Sequence, residues 1–217
     1  VDMSDRLLWE VYLPPFKAAL DAGAATFMNS FNDLNGVPAT GNKYLQRDIL
    51  KGKWNFKGFV VSDWGSVGEM INHGNVKNEY EAALSAITAG SDMDMESRCY
   101  KNNLAQLVKD KKVRVALIDD AVKRILRKKF ELGLFDDPYK YFDTVRAKKD
   151  ILSAEMRAFA RATAAKTFVL LENKNSILPL KKQGSIAVIG PLADSRRNML
   201  GTWSVSGDYT KAVTVME

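Results

Sequence analysis

The sequence predicts an α/β fold with parallel strands, on three observations. Strand-like and helix-like runs alternate in the order β-α-β-α-β between residues 24 and 95, the order that parallel strands joined by crossover helices produce. The run Gly58-Phe59-Val60-Val61-Ser62-Asp63-Trp64 is wholly apolar until it ends abruptly on a carboxylate and an aromatic ring, as suits a strand buried on both faces. Tyr80, Ala83, Leu84 and Ile87 recur at helical spacing directly after it, and Gly90 closes that helix.

Each element follows from local signals. Pro14 and Pro15 suit the first turn of a helix, where a missing N–H costs nothing, and Gly23 stops it. Residues 24–31 read as a strand and Asn35-Gly36 as a turn. Asn42 can cap a short helix running to about Lys51, and residues 56–63 form the next strand. Residues 91–95 are expected as a third short strand. Two helices then follow with no strand between them, over about 102–111 and 117–132. The second places Ile118, Ala121, Val122, Ile125 and Leu126 on one face, Asp119 and Asp120 in its first turn, and Gly133 past its end. The polar stretch 136–150, with Pro138, is the candidate interdomain linker. Ser153 can cap a long helix over 154–168 that leads into Val169-Leu170-Leu171, and residues 185–190 read as a buried strand.

Composition narrows the class. Apolar residues make up 46% and charged residues 27%, enough to build a core. The net charge of +6 comes from scattered residues and two helix-borne groups, Lys109 to Arg114 and Lys123 to Lys129. Neither group has the interleaved aromatics of a single-strand nucleic-acid binder, so no nucleic-acid partner is expected. No stretch approaches the roughly 18 apolar residues of a membrane-spanning helix, so no membrane partner is expected either. The single Cys99 excludes an internal disulfide, and no His or second Cys lies near it in sequence to suggest metal or nucleophilic work.

The chemistry concentrates at Asp63. In α/β folds ligands meet the carboxyl ends of the strands, which is where a catalytic acid, base or nucleophile would sit. An Asp there can equally cap the next helix or close a turn, and the strand alone does not choose. Trp64 could offer an indole face to a ligand or simply pack. Asp92 and Asp94 alternate along their expected strand and could be half of a metal site, but no further carboxylates follow with Ca²⁺-loop spacing, so capping or lining roles fit better. Glu96 is a further strand-end carboxylate, and His73, in an Asn-His-Gly-Asn turn, reads as a solvated loop histidine.

Several landmarks together resemble glycoside hydrolase family three, the group of β-glucosidases and β-xylosidases. The run 58–64 is similar to the family's nucleophile segment, Met28-Asn29-Ser30-Phe31-Asn32-Asp33-Leu34-Asn35-Gly36-Val37-Pro38-Ala39 to the strand and loop before it, and Leu13-Pro14-Pro15-Phe16-Lys17-Ala18-Ala19 to the preceding helix. Gly133-Leu134-Phe135 and Leu178-Pro179-Leu180 resemble segments around the junction of the family's two catalytic domains, and Ile186-Ala187-Val188-Ile189-Gly190-Pro191 resembles the first strand of the second.

This resemblance implies a specific architecture and function. Residues 1–135 would be the C-terminal portion of a (β/α)₈ TIM-like barrel, 136–152 the linker and 153–217 the start of an α/β sandwich domain. A complete barrel needs roughly 250 residues, so the chain reads as an internal fragment that is inactive alone. Asp63 would be the nucleophile of a retaining exo-acting β-glycosidase, most simply a β-glucosidase, acting through a covalent glycosyl–aspartate intermediate. Trp64 and Trp203 would flank the leaving-group subsite. Phe31 occupies a position that is often Tyr in the family, and it lacks the hydroxyl that could reach the nucleophile. The resemblance implies a β-glucoside or oligosaccharide substrate, no cofactor and no metal, and a periplasmic or secreted location. It leaves the acid/base unassigned. The alternatives are a β-xylosidase, a β-N-acetylglucosaminidase or phosphorylase of the same superfamily, and a non-catalytic carbohydrate-binding homologue.

Overall fold

The computed structural model describes residues 1–217, which divide into two units, Val1–Thr144 and Val145–Glu217. In the first unit the chain enters through helix α1 (Asp5–Leu7), a wider-turned helical stretch, Leu8–Tyr12, and α2 (Leu13–Asp21), which carries its prolines in the first turn. Gly23, at φ +96, ends this helix in the left-handed conformation that glycine adopts without strain. Strand β1 (Thr26–Met28) follows, then a small antiparallel hairpin of β2 (Asp33–Leu34) and β3 (Val37–Pro38) turning at Asn35-Gly36.

The expected helix after Asn42 spans Tyr44–Lys53, with Asn42 Oδ1 accepting the Leu45 N–H at 3.0 Å. Its hydrogen bonding widens to five residues, as Trp54 N–H donating to the Ile49 carbonyl at 2.9 Å illustrates. Strand β4 (Phe59–Val61) then lies parallel to β1, with Thr26 opposite Phe59 and Met28 opposite Val61. Helices α3 (Ser66–Glu69), α4 (Glu79–Ala89), α5 (Cys99–Lys109) and α6 (Val115–Glu131) complete the unit. The parallel pair, reached through helical crossovers, is the α/β arrangement the alternation predicts.

The expected third strand over 91–95 is reduced to one parallel bridge, Val61 to Met93. The cause lies in its hydrogen bonds. Asp92 and Met93 both donate their N–H groups to the Val60 carbonyl, at 2.8 and 3.1 Å, so the ladder does not extend back past Met93, and beyond it the Met95 N–H goes to Ser62 Oγ rather than to a carbonyl of the neighbouring chain. The Val60 N–H is taken instead by a side chain, Asp92 Oδ2, at 2.8 Å.

That carboxylate has a buried counter-ion. Lys51 Nζ lies 2.6 and 2.7 Å from the two Asp92 oxygens and also donates to the Gly90 carbonyl at 2.7 Å. The two side chains are 5% and 0% exposed. Next to them, Arg47 reaches the Ile87 and Thr88 carbonyls, and Arg124 of α6 donates to the Phe56 and Gly58 carbonyls at 3.0 and 2.9 Å. Asp120 pairs with both arginines. Helix α6 is thereby tied by side chains to the entry of β4.

Apolar packing fills the rest. Val67, Met70, Ala82, Ala83, Ala86, Ile87, Cys99 and Leu107 form the main core, where the alanines of α4 let α5 approach closely. Phe27 and Phe56 meet edge to face, ring centres 5.0 Å apart, within a second cluster around Leu50 and Val60.

The second unit contains α7 (Thr144–Asp150, whose first residue closes the first unit) and α8 (Ala154–Thr167), the latter capped by Ser153 Oγ accepting the Met156 N–H as expected. The strand expected over 185–190 does not form. No segment pairs with it in a ladder, and Ile189 is 92% exposed. An apolar run becomes a strand only when a neighbour takes its N–H and C=O groups.

Two predictions test this account. Gly58→Ala would push a Cβ into the Ala25 carbonyl oxygen and to 2.5 Å from Phe56 Cζ, contacts that backbone and a packed ring cannot yield. We expect a loss of about 3 kcal/mol, read as a lowered midpoint in urea unfolding. Burial lowers the Lys51 pKa from 10.5 to about 8, only partly offset by Asp92. The unfolded chain therefore holds more protons than the folded one between pH 8 and 10.5, and this group's contribution to stability rises with pH across that window. Lys51→Met should remove that rise, measured as the difference between the two proteins' unfolding free energies at pH 8 and pH 10.

Candidate active site

Because β1 and β4 are parallel, their carboxyl ends open on one edge, and the chain leaving each supplies a site segment there. Asn29 continues the ladder by donating its N–H to the Val61 carbonyl at 3.1 Å, and Ser30 and Phe31 follow. On the other strand Ser62, Asp63 and Trp64 follow Val61. Gly65, at φ +72, then turns the chain into α3.

Asp63 is half-buried and firmly mounted. Its Oδ1 accepts the Trp64 N–H at 2.6 Å, and its carbonyl accepts the Ser66 N–H at 3.1 Å and the Ser62 hydroxyl at 2.9 Å. On either side the chain is pinned to residues 93–95. Ser62 N–H donates to the Met93 carbonyl at 2.9 Å, Met95 N–H to Ser62 Oγ at 2.8 Å, and Gly65 N–H to the Met95 carbonyl at 2.8 Å.

A buried polar cluster lies under this edge. Asn29 Nδ2 donates to Ser91 Oγ at 2.7 Å, and the Thr40 hydroxyl lies 3.1 Å from Asn29 Oδ1 and 3.0 Å from Ser66 Oγ. Gln46 Nε2 donates to the Ala39 and Thr40 carbonyls, and Ser91 Oγ reaches Gln46 Oε1 at 3.0 Å. Tyr100, whose phenol burial holds well above its usual range, donates to the Ser91 carbonyl at 2.7 Å. The cluster links both strand ends, the turn at 39–41 and the first residue of α3, and no buried side-chain polar atom lacks a partner.

Of the residues predicted from sequence, Asp63, Trp64 and Phe31 stand at this edge. Trp64 is 48% exposed, leaving one indole surface open, and Phe31 is half-buried. Trp203 belongs to the second unit, in an exposed turn at φ +62. Asp92 is the partner of Lys51. Asp94 accepts from the Ser97 hydroxyl at 2.5 Å and the Tyr100 N–H at 3.0 Å, which makes it a cap for α5. Glu96 is exposed.

His73 differs from its reading as a partnerless loop residue. Its Nδ1 lies 2.8 Å from Asp33 Oδ1, a pairing across 40 residues that tethers the β2–β3 hairpin. Cys99 is buried, and burial pushes its thiol up, away from nucleophilic use. Two concavities of about 420 and 160 Å³ flank the site, one lined by Asp94, Tyr100 and Ile125, the other by Phe16, Phe27 and Ser30. Neither includes Asp63, which sits on an open edge.

Comparisons with known proteins identify the group to which this geometry belongs. Residues 1–128 match the family described as glycosyl hydrolase family 3 N terminal domain, and residues 168–217 match its C-terminal domain. The chain is 43% identical over its whole length to a periplasmic beta-glucosidase of Salmonella typhimurium, of which it covers 29%. It is 40% identical over 96% of its length to a beta-xylosidase of Formosa agariphila, covering 30% of that protein. Among solved structures, the beta-glucosidase of Listeria innocua superposes with a TM-score of 0.78 at 45% identity, over all of this chain and 30% of its own. The same enzyme has been solved with glucose bound. The chain thus spans under a third of each of these relatives, and it belongs to glycosyl hydrolase family 3.

Proposed function

We propose that this chain carries the nucleophile of a retaining, exo-acting β-glycosidase, in first place a β-glucosidase, that removes terminal β-glucosyl residues from glucosides or oligosaccharides. The observation that carries the proposal is the mount of Asp63, a half-buried carboxylate at the end of a buried parallel strand, pinned on both sides by main-chain hydrogen bonds. A retaining enzyme needs such rigidity, because the nucleophile must meet the anomeric carbon at bonding distance while a second carboxyl group about 5–5.5 Å away handles the proton. In the first step an Asp63 oxygen attacks the anomeric carbon and the acid protonates the departing oxygen. In the second, water cleaves the glycosyl–aspartate ester. Asp63 Oδ1 is oriented by the Trp64 N–H, and Oδ2, with no partner in the chain, is the oxygen we assign to attack.

In this reading residues 1–135 form the C-terminal part of a TIM-like barrel, 136–152 a linker and 153–217 the opening of an α/β sandwich domain. Trp64 stacks on the leaving-group sugar or aglycone, and Phe31 packs near the sugar being cleaved. The Salmonella relative's name supports a periplasmic location, and the glucose-bound Listeria structure supports a glucose-binding site. The 40% identity to a beta-xylosidase favours β-xyloside hydrolysis as the second reading.

Incubating the full-length parent with a 2-deoxy-2-fluoro-β-glucoside bearing a good leaving group should trap the ester, and peptide mass spectrometry should find it on Asp63. An adduct on another carboxylate, or none from either the glucoside or the matching xyloside, would overturn the assignment. Asp63→Asn should lower kcat roughly a thousandfold or more, about 4 kcal/mol of transition-state stabilisation. Trp64→Ala should leave the trapped residue unchanged. We expect it to raise KM for aryl glucosides roughly three- to tenfold, the worth of one aromatic face.

A further inference from the structure

The Lys51–Asp92 pair stands directly behind the proposed nucleophile strand, and stability alone does not account for it. Two ions removed from water recover their desolvation cost only with very good geometry, and an apolar pair of similar volume often serves a fold equally well. What an apolar pair cannot do is accept the Val60 N–H, which ends on Asp92 Oδ2 at 2.8 Å. Asp92 and the residue after it also fill the Val60 carbonyl from the other side. The carboxylate therefore locks residue 60 to residues 92 and 93, and the same run of chain holds Ser62 through Met93 and Met95, and Gly65 through Met95. Asp63 is the residue suspended between these clamps.

We propose that Lys51 and Asp92 are positioning residues for Asp63: by fixing the run 92–95 against β4, the pair sets where the nucleophile carboxylate stands relative to the sugar. The inference rests on Asp63 being the nucleophile. Lys51 is the cation that neutralises Asp92, because the other charged groups nearby are engaged elsewhere. Arg47, from the same helix, and Arg124, from α6, share Asp120 and bind main-chain carbonyls. Removing Lys51 leaves a buried carboxylate without its counter-ion, and the run 92–95 must shift or hydrate to accommodate it. A misplacement of about 1 Å at a reacting atom is enough to cost roughly a hundredfold in rate.

The test uses the full-length parent and the 2-fluoro glucoside, with mass spectrometry counting labelled sites and the time course giving the inactivation rate constant per labelled site. Lys51→Met and Asp92→Asn should each lower that constant at least tenfold, while Lys51→Arg stays within about threefold of the parent. A purely structural pair would instead reduce the number of labelled sites and leave the constant per site unchanged. Values within twofold of the parent in both Lys51→Met and Asp92→Asn would overturn the proposal. If Lys51→Met does not fold, Asp92→Asn, which keeps the side chain's shape and an acceptor for Val60, decides by the same criterion. A parent that takes no label on Asp63 overturns the nucleophile assignment and this inference with it, an outcome distinct from a labelled parent with unaffected variants.

Discussion

The first unit depends on how Asp92 meets Val60. A buried strand cannot leave its peptide groups unpaired, and on this side of β4 there is no continuous neighbouring strand to pair them. One aspartate takes over that work, its N–H filling the Val60 carbonyl and its side chain taking the Val60 N–H. A carboxylate in that position is tolerable only with a cation inside the same low-dielectric space, and Lys51 supplies it. The helix that carries Lys51 must then lie against the strand, and its entry is held by the Asn42 cap and by Gln46 bound to the carbonyls of residues 39 and 40. Helix, strand and the 91–95 segment are thus consequences of one polar contact as much as of apolar burial.

The polar cluster at the strand ends follows the same logic. The apolar core around Leu50, Phe56 and Val60 gives out at the strand ends. Asn29, Thr40, Ser66 and Ser91 bind one another there instead, and each joins a different segment to the edge. An unpaired member would cost about 1–3 kcal/mol, so the arrangement is close to all-or-none. It confers directionality that apolar side chains lack, which suits an edge where one carboxylate has to keep a fixed orientation.

Much of the first unit could be read from the chain, because its signals are local. Pro14 and Pro15 mark a helix start, Asn42 is a cap, and Phe59-Val60-Val61 is recognisable as a buried strand from its lack of polar breaks; in the second unit Ser153 is a cap. Asp63 is conspicuous because it ends that strand. Lys51, Ser62 and the Asp33–His73 pairing were not legible, since each gains its meaning from a partner 30 or more residues away. His73 in a polar turn looks solvated until the hairpin brings Asp33 to it. The strand over 91–95 is overstated by sequence for the opposite reason: its alternation is right, but Asp92 spends its side chain on the backbone that a ladder would have used. Residues 185–190 have the composition of a strand and lack a neighbour, which no local pattern reports.

Phe31 carries a bare ring past the end of β1, and this bears on how Asp63 is oriented. The position offers volume and no donor, so orientation of the Asp63 carboxylate falls to the Trp64 N–H. That donor is part of the same turn as the carboxylate, and the turn is clamped at Ser62 and Gly65, so acceptor and donor move together. A side-chain donor on the neighbouring strand would couple the carboxylate's direction to the spacing of β1 and β4. Here the direction is set within β4 and its exit, which are held from outside by the run 92–95 and, through Asn29 and Thr40, at Val61 and Ser66. The placement of the carboxylate is consequently sensitive to what anchors that run, and comparatively insensitive to which aromatic residue follows β1.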